Sequence, residues 1–233
     1  ACFDLLARLS PARMVTTSLA SRDTDFFGAL RDPMSGEVCV VERASGAETV
    51  LRSGLPGAHN ASNLLLAFAA ARTAGVPAAA AAQGLLKLAL PGMRWQVVER
   101  GGATYVNDAY NANPSSMTAV VRTFMAMPRR GRRVLVLGDM LELGAQAEAL
   151  HREVGRVVAE LAPDALVAVG ALARDYLADE AVRCGLPRER VVGCEDAAAA
   201  ADELGRRVRP GDAVLLKASR GMKLERVLDG QTV

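Results

Sequence analysis

Between residues 104 and 117 the chain reads T-Y-V-N-D-A-Y-N-A-N-P-S-S-M, a stretch that begins as an apolar strand and ends as a helix start. Asn107, Asp108, Tyr110, Asn111 and Asn113 place five polar side chains at that one junction. In open α/β sheets, ligands bind in the crevice at such strand-to-helix junctions. The same residues also make an ordinary well-capped turn, because Asn and Asp bond their own backbone readily.

Three further polar groups have spacings that could serve chemistry. L-K-A-S-R-G supplies Lys217, Ser219 and Arg220 at a helix start, a set suited to a carboxylate or phosphate; its alternative is two surface charges flanking a Ser cap. L-G-D-M-L-E-L-G supplies Gly138, Asp139 and Glu142 after another apolar strand. G-A-H-N-A-S-N brings His59, Asn60 and Asn63 within one turn at a helix N-terminus, where backbone N–H groups favour an electron-rich ligand. There the alternative is that Asn60 caps the helix and Asn63 bonds a neighbouring loop. Arg94 is an Arg suited to bidentate phosphate recognition or an ordinary exposed one. His151 is expected at the edge of the stripe formed by Leu150, Val154 and Val157, in a supporting position.

These residues need elements to hold them. Pro114 suits the first helical position and makes Asn113 the N-cap of a helix over 114–127. Apolar runs at 134–137, 165–169, 190–192 and 213–216 alternate with helical patterns at 146–161, 171–183 and 196–208, and a last helix is expected from Met222. Alternation at this spacing predicts βαβ units and a parallel sheet. The strands are apolar enough that both faces should be covered, with none at an edge. Ahead of them, Gly101-Gly102 predicts a hairpin turn. The first part reads differently: a short helix stopped by Pro11, an antiparallel meander over 25–53, then helices over 60–74 and 78–90. Pro91-Gly92 marks the expected domain boundary.

Composition narrows the classes. Of 233 residues 51% are apolar but only 4% aromatic, so Ala, Val and Leu must fill the core. A net charge of +2 is too small for a nucleic-acid partner, and the basic cluster at Arg129, Arg130, Arg132 and Arg133 fits a solvated turn. The four cysteines have no metal or redox spacing, and with two histidines no metal site is expected in this chain. Scattered cysteines and no long apolar run predict a cytoplasmic location without membrane insertion.

Taken in order, G-A-H-N-A-S-N, D-A-Y-N-A-N-P-S-S-M, L-G-D-M-L-E-L-G and L-K-A-S-R-G resemble the motifs of the Mur ligases over nearly the whole chain. The resemblance implies an α/β fold with a Rossmann-like C-terminal ligase domain at 93–233, preceded at 1–92 by part of a central ATPase domain of antiparallel strands plus helices. It implies ATP-dependent amide formation in peptidoglycan precursor synthesis. The substrates would be UDP-N-acetylmuramoyl-tripeptide and D-alanyl-D-alanine, the cofactors ATP and Mg2+, and the protein a monomer. In that family pattern Asn60 and Asn63 border adenine, with His59 supporting the turn, while Arg94 and Asp108 grip the nucleotide. Tyr110, Asn111 and Asn113 line the substrate side, and Lys217, Ser219 and Arg220 hold the dipeptide carboxylate. Gly138, Asp139, Glu142 and His151 support the crevice.

The family's G-x-x-x-x-G-K-[ST] phosphate loop is missing, since the sequence contains no Gly-Lys pair, and so is its magnesium-binding segment. The chain is therefore expected to be the C-terminal portion of such a ligase and inactive in isolation. The alternatives are a non-catalytic binding or regulatory module and a sibling ligase adding a different amino acid. A dinucleotide oxidoreductase is disfavoured, because no G-x-G-x-x-G follows a strand.

Overall fold

The computed structural model describes residues 2–87, 92–128 and 131–229. It divides into two compact units, Ala1–Ala89 and Leu90–Val233. The expected helix end at 90, Pro91 and the pair Arg129-Arg130 lie outside the described residues.

The first unit starts with α1 (Cys2–Leu9) and builds one sheet from β1 (Thr17–Ser18), β2 (Phe26–Asp32), β3 (Glu37–Glu42) and β4 (Glu48–Leu51), in that order. The last three strands form the antiparallel meander, and β1 pairs parallel to β2. Two residues are too few to carry an alternating pattern, so β1 left no trace in the sequence. Helices α2 (Ala58–Thr73) and α3 (Ala78–Leu86) cover the sheet, burying Leu64, Leu65 and Phe68 with Phe26, Val38 and Val40. α2 begins two residues earlier than expected. Its N-cap is Gly57 at φ 100°, so Asn60 sits within the first turn. Asn60 Nδ2 donates to the Pro56 carbonyl at 2.8 Å.

The second unit is a six-stranded sheet in the order β5-β6-β10-β7-β8-β9. The strands are β5 (Gln96–Arg100), β6 (Ala103–Asn107), β7 (Arg133–Gly138), β8 (Ala165–Val169), β9 (Val191–Cys194) and β10 (Ala213–Lys217). All neighbours are parallel except the β5–β6 hairpin. Its turn needs left-handed backbone at both central positions, and Gly101 and Gly102 supply φ of 58° and 74° without a Cβ penalty. One face is covered by α4 (Pro114–Ala126), α5 (Ala147–Leu161) and α6 (Asp179–Arg183), the other by α7 (Ala197–Arg207) and the turns near Leu224 and Val227. Successive residues of β7 serve opposite faces: Leu135 and Leu137 pack under α4 and α5, Val134 and Val136 under α7. This is why the strand reads as an unbroken apolar run. Burying Met117, Val121 and Phe124 of α4 contributes about 1.5–3 kcal/mol each.

Three expectations change. β9 is an edge strand despite its apolar start, since among the described residues only β8 pairs with it. The helix expected over 171–183 is π-helical from Ala173 to Ala178 before continuing as α6. There Glu180 is buried between α5 and α6, and hydrogen bonds from Arg183, then Arg156, hold its carboxyl at about 2 against the cost of burial. No α-helix starts at Met222. Two 3-10 turns, Arg220–Met222 and Leu224–Leu228, are separated by Lys223 at φ 49°, which breaks helical propagation.

Candidate functional site

The parallel register of β6 and β10 sets Leu216 beside Asn107, so the next residues along, Asp108 and Lys217, meet at the carboxyl end of the sheet. Lys217 Nζ donates to Asp108 Oδ2 at 2.6 Å, to the Asn111 carbonyl at 2.9 Å and to the Asp108 carbonyl at 3.5 Å. All three ammonium donors are therefore engaged. The Lys217 side chain is 2% exposed and that of Asp108 14%, so the pair is close to fully desolvated. The other Asp108 oxygen accepts from the Trp95 N–H at 2.8 Å, and Tyr110 N–H donates to the Met93 carbonyl at 3.1 Å. These bonds tie the 93–95 loop to the junction. They also bring the Arg94 guanidinium over the Tyr110 ring, 4.1 Å from its centroid, with both side chains exposed.

The loop after β7 joins the same assembly. Ser219 N–H donates to the Asp139 carbonyl at 3.1 Å, and Ser219 Oγ accepts from Leu141 N–H at 2.9 Å while facing the Ala112 carbonyl at 3.4 Å. Asp139 Oδ1 accepts from Ala173 N–H at 2.7 Å. Gly138 lies against Ala218, where an added Cβ would come within 2.7 Å of the Ala218 Cβ. His151 is fully buried rather than at a stripe edge, because it bonds at both ring nitrogens. Nε2 accepts from Met140 N–H at 3.0 Å, which requires Nδ1 to carry the proton it shares with the Ala147 carbonyl at 2.7 Å. It is a neutral peg holding the loop. Glu142 is exposed at φ 64° and makes no hydrogen bond or ion pair among the described residues.

Lys217, Ser219 and Arg220 were expected to act together on an anion. The structure separates their duties, because the buried Lys217 and Ser219 knit the loops together. Arg220 alone of the three is exposed, with Nη1 donating to Glu225 Oε1 at 2.6 Å and touching Met93 Sδ at 3.6 Å. Asn111 uses Oδ1 on the next residue's N–H. Asn113 is the N-cap, its side chain accepting from Ser116 N–H in a capping box. His59, Asn60 and Asn63 belong to the first unit; Asn63 is exposed on α2.

Sequence reading passed over Met93, Trp95, Leu141 and Glu225. Of the five non-Gly residues at positive φ among the described residues, four (Met93, Trp95, Glu142 and Lys223) sit on these loops. The fifth, Ala162, ends α5. No composition rule signals a left-handed Met or Trp. Such positions cost about 1–3 kcal/mol each and persist where the surroundings over-determine them, which is typical of ligand clamps. By contrast, a cleft of about 410 Å3 at the opposite, amino ends of the strands is lined by Glu99, Thr104, Phe124, Arg133 and Asp212. Its polar groups are paired among themselves or with nearby backbone, as in Thr104–Glu99 and Arg132–Asp212, so it offers little chemistry.

A doubly wound parallel sheet with a strained, charged loop cluster at its carboxyl edge defines a ligand-binding α/β domain. Residues 93–220 match the Mur ligase, glutamate ligase domain, and the chain belongs to the Mur ligase family. It is 35% identical over 184 residues to the UDP-N-acetylmuramoyl-tripeptide–D-alanyl-D-alanine ligase of Bacillus subtilis, covering 78% of this chain and 40% of that protein. The enzyme of the same name from Mycobacterium tuberculosis is 33% identical over 244 aligned positions, covering 96% and 48%. The chain thus spans less than half the length of these relatives. The fold is shared with the MurF ligase from Thermotoga maritima solved in complex with ADP, at TM-score 0.73 and 23% identity over 97% of this chain and 50% of that one.

Proposed function

We propose that this chain is the part of an ATP-dependent amide ligase that receives the amino substrate, joining D-alanyl-D-alanine to UDP-N-acetylmuramoyl-tripeptide in peptidoglycan precursor synthesis. The observation that carries the reading is the exposed Arg220, held at the carboxyl edge of the sheet by loops that match this family. The relatives' names supply the substrates, and the ADP held by the Thermotoga maritima structure supports a nucleotide. No helix among the described residues is long and apolar enough to cross a membrane.

In this reading Arg220 takes the dipeptide carboxylate, since a guanidinium edge matches a carboxylate with two parallel bonds. Lys217 and Ser219 act through the backbone they fix, setting the loop from which Arg220 projects. Within the second unit, Arg94, stacked on Tyr110, and Asp108 are the residues assigned to the nucleotide. The bound nucleotide supplies the phosphoryl group that activates the tripeptide carboxylate for attack by the dipeptide amine. Orientation and charge placement are what these residues contribute to such chemistry. Among the described residues no group of three or more His, Cys, Asp or Glu is placed to hold a metal ion.

The test is a chimaera in which residues 93–233 replace the matching part of the Bacillus subtilis relative. It should release phosphate only with both substrates present, whereas the chain alone should release none. In the chimaera Arg220→Ala should raise the KM for D-alanyl-D-alanine by about tenfold to a hundredfold, the value of one charge-assisted hydrogen bond, and leave the KM for ATP nearly unchanged. Unchanged constants for both substrates would remove Arg220 from the site.

A further inference from the structure

Glu225 follows Arg220 by five residues, yet the break at Lys223 folds it back so that Oε1 accepts from Arg220 Nη1 at 2.6 Å. The pair is single-handed. Neither Nε nor Nη2 of Arg220 bonds any described residue, and Glu225 Oε2 is buried without a hydrogen-bond partner. An Arg–carboxylate pair optimised for itself would be bidentate and would satisfy both oxygens. A buried acceptor left unsatisfied is costly, so native structures keep few. The arrangement leaves that cost in place and keeps the two-donor edge of the guanidinium unused. Met93 Sδ, on a residue at φ 63°, closes against the same Nη1 and limits rotation of the head group.

We propose that Glu225 is the positioning residue for Arg220: it holds the guanidinium by one corner so that the Nε/Nη2 edge stays presented to a ligand carboxylate. The inference rests on the reading of Arg220 as the carboxylate grip. A long Arg side chain otherwise loses rotamer freedom on binding, and pre-ordering it removes that cost from the binding step. Glu225 touches no substrate in this scheme; it acts through Arg220. The strained Lys223 is what lets a residue five positions on reach back, because continued α-helix would carry Glu225 to another face.

The experiment follows the Arg220 Nε–Hε signal of the 15N-labelled chain, assigned by its loss in Arg220→Ala, during titration with D-alanyl-D-alanine at millimolar concentrations. D-alanyl-D-alaninamide, which lacks the carboxylate, is the control. The wild type should respond to the dipeptide and not to the amide. Glu225→Ala should weaken the response roughly two- to tenfold, the ordering cost of one long side chain. Glu225→Gln, whose amide oxygen can still accept from Nη1, should recover most of it and keeps the test open if the Ala variant unfolds. Wild-type affinity in both variants overturns the positioning role while leaving Arg220 as the grip. Tighter binding in Glu225→Ala also overturns it, showing that Glu225 competes with the ligand. A wild type that ignores the dipeptide removes the carboxylate site itself, and the proposed function with it.

Discussion

The two ends of the second unit's sheet each carry an aspartate paired with a cation at 2.6 Å, yet they are built on opposite plans. At the amino end Asp212 is the buried partner, 4% exposed, and Arg132 lies 46% exposed. Asp212 also accepts from the Arg132 and Arg209 backbone N–H groups, and left-handed backbone there falls on glycines such as Gly211. At the carboxyl end the cation is the buried partner, and left-handed backbone falls on Met93, Trp95, Glu142 and Lys223. At the amino end the Asp212 carboxylate is satisfied by side-chain and backbone donors, a clamp that closes the sheet. The carboxyl end accepts strain and leaves Arg220, Arg94 and Glu142 facing solvent. Both ends come from the same strands, so the difference is not imposed by the sheet, and it agrees with the ligand site proposed at the carboxyl end.

The largest expected effect breaks the contrast between the two ion pairs. Asp108→Ala leaves a buried ammonium with only carbonyl partners and should destabilise by about 3–5 kcal/mol in urea unfolding. Arg132→Met leaves Asp212 with its two backbone donors and should cost about 1.5–3 kcal/mol. Equal losses would show that the two pairs are equivalent clamps.

Next in size is the support beneath the carboxyl-end loops. Gly170 has φ 97°, and an added Cβ would lie 2.5 Å from Asp139 Oδ2. Gly170→Ala should therefore cost about 1–3 kcal/mol. It should also disturb Ser219, which leans on the Asp139 carbonyl, and amide exchange at Ser219 would report this.

Strain gives a smaller and opposite effect. Glu142→Gly and Lys223→Gly should each stabilise by about 1 kcal/mol, because glycine pays no Cβ penalty at these angles. At the amino end Gly211→Ala, at φ 90°, should destabilise. Thermal unfolding reads all three, and destabilisation by Lys223→Gly would show that its conformation is not strained.

The smallest effect is in pH. Burial pushes the Asp212 carboxyl up, but the Arg132 guanidinium and the Arg209 N–H outweigh it and hold it below its ordinary 3.8. A carboxyl depressed in the folded state contributes stability above its unfolded value, lost as pH falls through the folded one. Arg132→Met should thus flatten the acid limb of stability below pH of about 4. An unchanged slope would mean that other carboxylates carry it.

Much of this was legible beforehand for local reasons. The Asn113–Pro114 helix start was readable because cap, first-turn proline and capping partner lie within three residues of one another. The limits of that legibility show at Met222, where a left-handed Lys223 replaces the expected helix, and at β9, whose apolar residues do not reveal that nothing pairs beyond them.

By itself the sequence determined the alternation of strands and helices, the hairpin at Gly101-Gly102 and the membership of the polar loops, since periodicity and turn chemistry act over a few residues. Tertiary structure decided which of those polar residues are buried and which stay exposed. Lys217 meets Asp108 across 109 residues of chain because β10 inserts between β6 and β7, a register that no local pattern encodes. That pairing turned Lys217 from an expected carboxylate ligand into a buried bolt. Arg220, three residues along, remained open to solvent because the chain had already left the sheet.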